Sequence, residues 1–163
     1  MALKVVTGIL IMVVYLHETQ SSSKTMKMLT TGFMKVLDTC KEELNISEGV
    51  LSDLYHYWKE DYDLMKRDTG CVIVCMSRKL DLLDDSGKIH HGNTADFAKK
   101  HGAAEETASQ IVSLLHECEK TQDHVEDPCI KALEVAKCFR IGIHKLNWTP
   151  KMDVLVTEVL TDI

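Results

Sequence analysis

Six cysteines in a chain of 163 residues constrain its fold more than any other feature of the sequence. They are Cys40, Cys71, Cys75, Cys118, Cys129 and Cys138. An even number of cysteines in an oxidising compartment indicates a disulfide framework rather than metal ligands or a redox motif. The closest pair, Cys71 and Cys75, has no second close pair with which it could complete a zinc site. We therefore expect three disulfides and no metal site.

The N-terminal residues indicate that oxidising compartment. An apolar run over residues 5–16 follows a basic residue, and Thr19 and Ser21 are small enough for a signal-peptidase site. The run is shorter than the ~20 apolar residues that a transmembrane helix needs. We expect residues 1–21 to be a signal peptide and residues 22–163 to form one secreted, extracellular domain.

Charge and composition restrict the classes of function. Removal of the leader takes away one basic and one acidic residue, Lys4 and Glu18, so the net charge stays at −6. An acidic domain without a basic cluster argues against nucleic acid as a partner. No nucleophile elbow, phosphate loop or acid–base motif is present, so we expect neither an enzyme nor a cofactor. Only two prolines and eight glycines, with few alternating β-branched runs, favour an all-α fold.

Apolar residues recur at spacings of three and four along six segments, which predicts six helices. The predicted helices cover about residues 23–44, a short segment after Ser47 that holds Leu51, Leu54, Tyr55 and Trp58, then residues 68–80, 93–102 and 105–119, and a last helix that starts at Asp127 and Pro128. Asn93 is the expected N-cap of the fourth helix, and Gly102 is expected to end it. Residues 84–87 are predicted to form a turn, and a loop with His90 and His91 follows.

The predicted helices limit how the cysteines can pair. Cys71 and Cys75 lie four residues apart on one helix face and point the same way, which does not suit a mutual bridge. Cys129 and Cys138 are separated by roughly 13 Å along one helix, which is too far. Excluding these two pairs leaves ten of the 15 connectivities that six cysteines allow. A domain linked in this way tolerates an internal apolar cavity, and helical domains commonly bind ligands between helices.

The cysteine spacing is Cys-x30-Cys-x3-Cys-x42-Cys-x10-Cys-x8-Cys, which resembles that of the insect odorant-binding proteins. The intervening sequence is most similar to the pheromone-binding proteins of moths, and the similarity covers essentially all of residues 22–163. The segments that carry it are Tyr57-Trp58-Lys59-Glu60, Arg67-Asp68-Thr69-Gly70-Cys71, His90-His91-Gly92-Asn93, Phe97-Ala98-Lys99-Lys100-His101-Gly102-Ala103 and His144-Lys145-Leu146-Asn147-Trp148.

The resemblance implies a six-helix domain around an internal apolar cavity, with an amphipathic C-terminal segment. It also implies the disulfides Cys40–Cys75, Cys71–Cys129 and Cys118–Cys138. The implied function is that of a carrier for long-chain pheromone alcohols, acetates or aldehydes in the antennal sensillum lymph. The implied destination of the ligand is an olfactory receptor or the surface of the neuronal membrane, and a homodimer is one alternative for the assembly.

Matching the sequence to the family's pocket implies a set of ligand-binding residues. They are Met26, Thr30, Phe33, Tyr57, Trp58, Ile73, Ser77, Val112, Leu115, Phe139 and Ile143. Ser77 is the expected partner of the ligand's polar head; the alternative is that its hydroxyl bonds the carbonyl one turn back. For Phe33, Trp58 and Phe139, the alternative is ordinary core packing. Relatives commonly have phenylalanine at the position of Tyr57, so this chain has an additional hydroxyl in or beside the cavity wall.

The resemblance further implies a response to pH. His90, His91 and His116 are the candidate sensors, because histidine changes charge near physiological pH. In relatives, a tail like residues 152–163 enters the cavity as a helix in acid and expels the ligand. Its acidic residues Asp153, Glu158 and Asp162 could enter a cavity at lower cost once they are protonated. The alternative is an amphipathic helix that stays packed on the surface.

Two other functions remain as alternatives from the sequence. One is a carrier of general plant odorants, which would share the fold and the cysteine spacing. The other is a secreted helical signalling protein whose core is filled and which binds a receptor. Uptake of an apolar probe distinguishes the second from any carrier.

Overall fold

A computed structural model of the chain describes residues 21–46 and 49–151. Its helices are α1 (residues 21–34), α2 (Leu37–Leu44), α3 (Gly49–Lys59), α4 (Arg67–Lys79), α5 (His91–Lys100), α6 (Glu105–Thr121) and α7 (Pro128–Lys145), with a 3-10 turn at Tyr62–Leu64. Extended structure in the described part is limited to one isolated bridge between Leu83 and Ile89. The prediction of an all-α fold is confirmed. The predicted signal peptide lies almost entirely outside the described residues, and so do Ser47, which precedes the second predicted helix, and the acidic residues of the tail.

The first predicted helix is interrupted, so the prediction of one helix over residues 23–44 is wrong. A turn at residues 35–36 separates α1 from α2. Just before it, the hydroxyls of Thr30 and Thr31 donate to the carbonyls of Met26 and Lys27, at 2.8 and 3.1 Å. Such bonds to the carbonyl four residues back bend helices, and Gly32 follows them directly. The apolar stripe continues across the break, since Met26 and Leu37 are both fully buried.

The last helix begins where the sequence indicates. The carboxylate of Asp127 accepts hydrogen bonds from the backbone N–H groups of Cys129 and Ile130, at 2.9 and 3.0 Å. Its second oxygen accepts a hydrogen bond from Arg67 at 2.8 Å. The bond from the Ile130 N–H, followed by the one from Arg67, holds the pKa of Asp127 below its usual value. Asp127 therefore caps α7 and also ties its start to the start of α4.

The start of α5 differs from the prediction, because His90 rather than Asn93 is its N-cap. The ring Nδ1 of His90 accepts a hydrogen bond from the backbone N–H of Asn93 at 3.2 Å. The Asn93 side chain donates instead to the carbonyl of Asp81, at 2.8 Å. The N-cap therefore lies three residues earlier than predicted, and His91 is the first residue of the helix. Its predicted end is confirmed, since Gly102 follows the helix with φ +92°.

The turn at residues 84–87 is also confirmed. Asp84 Oδ1 accepts hydrogen bonds from the backbone N–H of Ser86 and of Lys88, at 2.9 and 3.0 Å, and Gly87 has φ +80°. These bonds hold the pKa of Asp84 below its usual value, with the Ser86 hydroxyl making the largest contribution. The loop from α4 to α5 is therefore ordered around this carboxylate.

Three disulfides join the helices, as the six cysteines predict. They link Cys40 to Cys75, Cys71 to Cys129, and Cys118 to Cys138, which are the pairs that the resemblance implies. Helices α4 and α7 each take part in two of them, and α4 packs against α7 over a long contact. The pair α4 and α7 therefore forms the covalently fixed centre of the domain.

The chain after α7 is held by a buried arginine. Arg140 is only 4 % exposed and pairs with Glu60, at 2.9 Å. It also donates to the carbonyl of Trp58 at 2.7 Å and to the hydroxyl of Thr149 at 3.0 Å. The carbonyl of Thr149 accepts a bond from Ser23, at 3.2 Å. The segment just before the predicted tail is thus bonded to α1 and α7 directly, and to α3 through Arg140.

Candidate ligand-binding cavity

An apolar cavity of about 480 Å³ lies between α1, α3, α4, α5, α6 and α7. Its walls consist mostly of aliphatic, methionine and aromatic side chains. The loop between α4 and α5 closes one side, where exposed residues such as Gly87 and Lys88 reach the surface. Disulfides link α4 to α7, α4 to α2, and α7 to α6. These covalent links keep the helices in place although side chains do not fill the space between them.

Most of the residues expected at the ligand lie on this cavity. Nine of the eleven line it: Met26, Thr30, Phe33, Tyr57, Trp58, Ile73, Ser77, Leu115 and Phe139. They come from α1, α3, α4, α6 and α7, so residues far apart in the sequence meet around one space. Of the aromatic residues among them, Trp58 also belongs to the buried core, and Phe33, Tyr57 and Phe139 are partly buried and pack against it.

Val112 and Ile143 are not among the residues that line the cavity, which differs from the expected set. Both side chains have no exposed surface and are buried among neighbouring helices. On α6 the cavity is lined by Ile111 and Leu115, four residues apart. Val112 is rotated from Ile111 by about 100° around the helix axis. Ile143 lies one turn beyond Phe139, the last residue of α7 on the cavity.

The structure adds lining residues that the sequence-based set lacks. A stripe on α5 at residues 94, 97 and 98 contributes Thr94, Phe97 and Ala98. Another on α7 contributes Ala132, Val135 and Ala136. Both stripes have helical spacing, which could have identified them as inward faces. The loop residues Leu83 and Ile89 also line the cavity, and nothing in the sequence pattern marks them.

Two of the hydroxyl groups on the cavity are already bonded to the protein. Thr30 donates to the carbonyl of Met26 at 2.8 Å. Tyr57 donates to the carbonyl of Ala136 at 3.1 Å, which accounts for the additional hydroxyl at this position. Burial raises the pKa of Tyr57 far above its usual value, so the phenol stays protonated and keeps donating to α7.

Two further hydroxyls have no partner in the described part of the protein. Ser77 Oγ makes no hydrogen bond there, so the alternative in which it bonds the preceding turn does not hold in this structure. Thr94 Oγ1 is fully buried and likewise unbonded. Native proteins satisfy the large majority of buried polar side-chain atoms, so the Thr94 hydroxyl requires an explanation.

The three candidate histidines lie together at the loop that closes the cavity. His90 caps α5, and the ring of His91 stacks on that of His116 with centroids 5.5 Å apart. His116 also lies 3.5 Å from a carboxylate oxygen of Glu119. The other carboxylate oxygen of Glu119 accepts the backbone N–H of Ile89 at 2.9 Å. The cluster thus connects α6 to the loop and to α5.

The described residues show neither a metal centre nor a membrane span. No group of three or more potential metal ligands comes together among them. None of their helices combines the length and the apolar character needed to cross a bilayer.

These features define a class of protein: a small helical domain, cross-linked by three disulfides, that encloses an apolar cavity. The comparisons with known proteins identify the family. The chain belongs to the PBP/GOBP family, whose model matches residues 22–141. This confirms the resemblance that the cysteine spacing and the intervening segments indicate.

Individual relatives support the same assignment. Over 144 residues, 88 % of this chain and 87 % of the other, it is 46 % identical to Pheromone-binding protein 2 of Epiphyas postvittana. General odorant-binding protein 1 of Heliothis virescens is 38 % identical over 84 % of each chain. The crystal structure of Epiphyas postvittana Pheromone Binding Protein 3 matches with a TM-score of 0.67 and 66 % identity, covering 71 % of this chain and 99 % of that one. These relatives are named as binding proteins, which agrees with the expectation that the chain is not an enzyme.

Proposed function

We propose that this protein is a secreted carrier that takes up long-chain apolar pheromone molecules, such as alcohols, acetates or aldehydes, in the sensillum lymph. It delivers them to olfactory receptors and releases them in acid. The observation that carries the proposal is the apolar cavity of about 480 Å³ in a chain of the PBP/GOBP family. Ligand pockets typically enclose ~300–1,000 Å³ and combine apolar walls with a few polar groups.

The energetics suit a carrier that must also release its ligand. Burial of about a dozen methylenes at ~0.8 kcal/mol each gives a transfer free energy of roughly 10 kcal/mol. Loss of translational and rotational freedom costs at least ~4 kcal/mol of this. The remaining ~6 kcal/mol corresponds to a dissociation constant of tens of micromolar, and good packing against the walls improves on it.

Secretion is supported by the leader-like residues 1–21 and by the three disulfides, which persist in oxidising environments. The family match begins at residue 22, where the mature domain is expected to start.

Two features support release in acid. Protonation of His90 removes the acceptor that caps α5 and puts a positive charge at the start of that helix, where it is unfavourable. Protonation of both His91 and His116 sets like charges in stacked rings. Both changes weaken the side of the cavity that the α4–α5 loop closes. Asp84 and Glu119 are the carboxylates near this cluster, and each also bonds backbone N–H groups of the loop.

The second feature is the segment that leads to the C-terminal tail. Thr149 is bonded to Arg140 and to Ser23 on α1, and α1 lines the cavity. In the proposal, residues 152–163 enter the cavity once acid has protonated Asp153, Glu158 and Asp162, because neutral carboxyl groups cost less to bury.

Uptake is tested by titrating the protein with a fluorescent apolar probe at neutral pH and displacing the probe with candidate ligands. We expect saturable uptake and displacement by long-chain alcohols, acetates and aldehydes. Absence of uptake would favour a helical signalling protein with a filled core. Displacement by short plant volatiles, with no preference for long chains, would identify a general odorant carrier, as the name of one relative suggests. Light scattering in the same buffer decides between a monomer and a homodimer.

Release is tested by deleting residues 152–163 and comparing the two proteins between pH 7 and pH 5. We expect equal uptake at neutral pH and retention of ligand in acid by the truncated form only. If both forms release ligand at the same pH, the tail is not the plug.

A further inference from the structure

The hydroxyl of Thr94 has no hydrogen-bond partner, unlike the hydroxyls of Thr30 and Thr31 on α1. Thr94 lies in α5, its residue is 5 % exposed, and it lines the cavity. Its Oγ1 atom is buried and has no hydrogen-bond partner. Thr30, which lines the same cavity, bonds the carbonyl one turn back, as Thr31 also does. The Thr94 hydroxyl does not use the equivalent carbonyl, that of His90, which accepts only the backbone N–H of Thr94, at 3.0 Å.

A buried hydroxyl without a partner destabilises a protein, because it has lost its bonds to water and gained none. The surrounding groups in the same stripe, Phe97 and Ala98, are apolar and offer no bond. The oxygen function of a ligand in the cavity can satisfy Thr94 without a rearrangement of α5. A pure hydrocarbon could not do so.

We propose that Thr94 is a head-group residue: its hydroxyl hydrogen-bonds the oxygen function of the ligand and so selects oxygenated long-chain molecules over hydrocarbons of the same length. This inference rests on the proposed function, since it assigns a specificity role within the same cavity. Ser77 on α4 is the other unbonded hydroxyl of the cavity wall, so an ester or an alcohol has two groups that it can contact.

The test compares variants against two ligands of equal chain length, a straight-chain alkene and the corresponding terminal alcohol. Thr94→Val replaces the hydroxyl by a methyl group of similar size. We expect it to weaken binding of the alcohol by roughly five- to tenfold, the effect of one hydrogen bond, and to leave binding of the alkene equal or tighter. Thr30→Val is the matched control, because its hydroxyl is already bonded, and it should change both affinities equally.

Thr94→Ser retains the hydroxyl and should retain the preference for the alcohol, including in the case that Thr94→Val does not fold. The ligand-free Thr94→Val protein should melt at a higher temperature than the wild type, because an unsatisfied buried group is removed. Equal weakening of alkene and alcohol by Thr94→Val, or loss of the preference in Ser77→Ala alone, would overturn the inference. If the wild type binds neither ligand nor probe, the proposed function itself fails.

Discussion

Gly70 lies directly against the backbone carbonyl of Cys129. A Cβ atom built on Gly70 would be 1.9 Å from the Cys129 oxygen, so no side chain fits at this position without movement of the backbone. The contact allows α4 to approach α7 closely enough for the adjacent Cys71–Cys129 disulfide, whose Cα atoms are 4.4 Å apart. The close packing of α4 against α7 thus depends on the absence of a side chain at Gly70.

Gly70→Ala is therefore expected to destabilise the protein by about 3 kcal/mol, at the upper end of overpacking effects, because the obstacle is backbone and cannot rotate away. Denaturant unfolding with the disulfides intact measures this. Gly92→Ala is the matched control: Gly92 also lies in a helix, but its nearest neighbour would be 3.7 Å away. Alanine there should be neutral or stabilise the protein by up to ~1 kcal/mol. Equal effects of the two variants would contradict the argument.

Gly32 presents a similar contact with a side chain. A Cβ atom at this position would lie 2.1 Å from Nε2 of His101, whose ring is held by a 2.8 Å bond to the carbonyl of Phe97. We expect Gly32→Ala to cost about 1–2 kcal/mol in the wild type. In a His101→Ala background it should be neutral or stabilising, since alanine favours a helix. A double-mutant cycle on unfolding free energies measures the coupling, and additive effects would disprove it.

Apolar periodicity in the sequence predicts the helices well. It does not predict which of two adjacent apolar side chains on a helix faces the cavity. The apolar stripes predict where most of the helices lie, and Asp127 with Pro128 predicts the start of α7. The choice between Ile111 and Val112 as the cavity residue rests on a rotation of about 100°, which adjacent apolar residues do not reveal. The sequence does not mark Thr94 as a cavity residue, because a threonine inside a helix normally bonds its own backbone. The sequence predicts His90 in a loop rather than at the N-cap of α5, since histidine is not a typical cap.

Arg140 is expected to hold the segment before the tail. It makes bonds of 2.7–3.0 Å to Glu60, Trp58 and Thr149, and lysine cannot supply this fork of donors. Arg140→Lys should destabilise the fold by about 2 kcal/mol, since it leaves buried acceptors unpaired. Limited proteolysis should then cut near residues 146–151 first. Lys145→Met, at an exposed position on the same helix, is the control and should change neither quantity measurably.

Asp127 predicts how stability depends on pH. Its pKa in the folded state is lowered by the N–H of Ile130 and by Arg67, so its contribution is complete above the unfolded value of ~3.9. The contribution is lost as the pH falls through the lower pKa of the folded state. The melting temperature of Asp127→Asn should therefore be below that of the wild type at neutral pH, and the two should converge below about pH 4. A constant difference down to pH 2 would contradict this.

The same variant separates acid unfolding from acid release. Ligand release is expected between pH 7 and pH 5, the range in which histidine gains its charge. Asp127 is ionised throughout that range, so Asp127→Asn should release ligand at the pH of the wild type. A shifted release midpoint in this variant would mean that release reflects loss of the fold rather than a response of the cavity.

Replacement of the histidines should shift release. His116→Phe keeps an aromatic ring against His91 but removes one of the two charges that acid places in the stack. His90→Asn keeps a neutral acceptor at the N-cap of α5, which no longer disappears on protonation. The double variant should retain ligand to a lower pH than the wild type, measured by probe fluorescence between pH 7 and pH 4.5.

The control for this prediction is His124, an exposed histidine in the segment between α6 and α7. It makes no contact with His90, His91 or His116 that the structure records, so His124→Asn should leave the release midpoint unchanged. If the double variant of His90 and His116 releases ligand at the same pH as the wild type, the histidine cluster is not the sensor. Protonation of the tail carboxylates alone must then drive release. In that case the truncated protein and the double variant would behave differently: only removal of residues 152–163 would abolish release. The two variants together thus assign the response to the loop side of the cavity or to the tail.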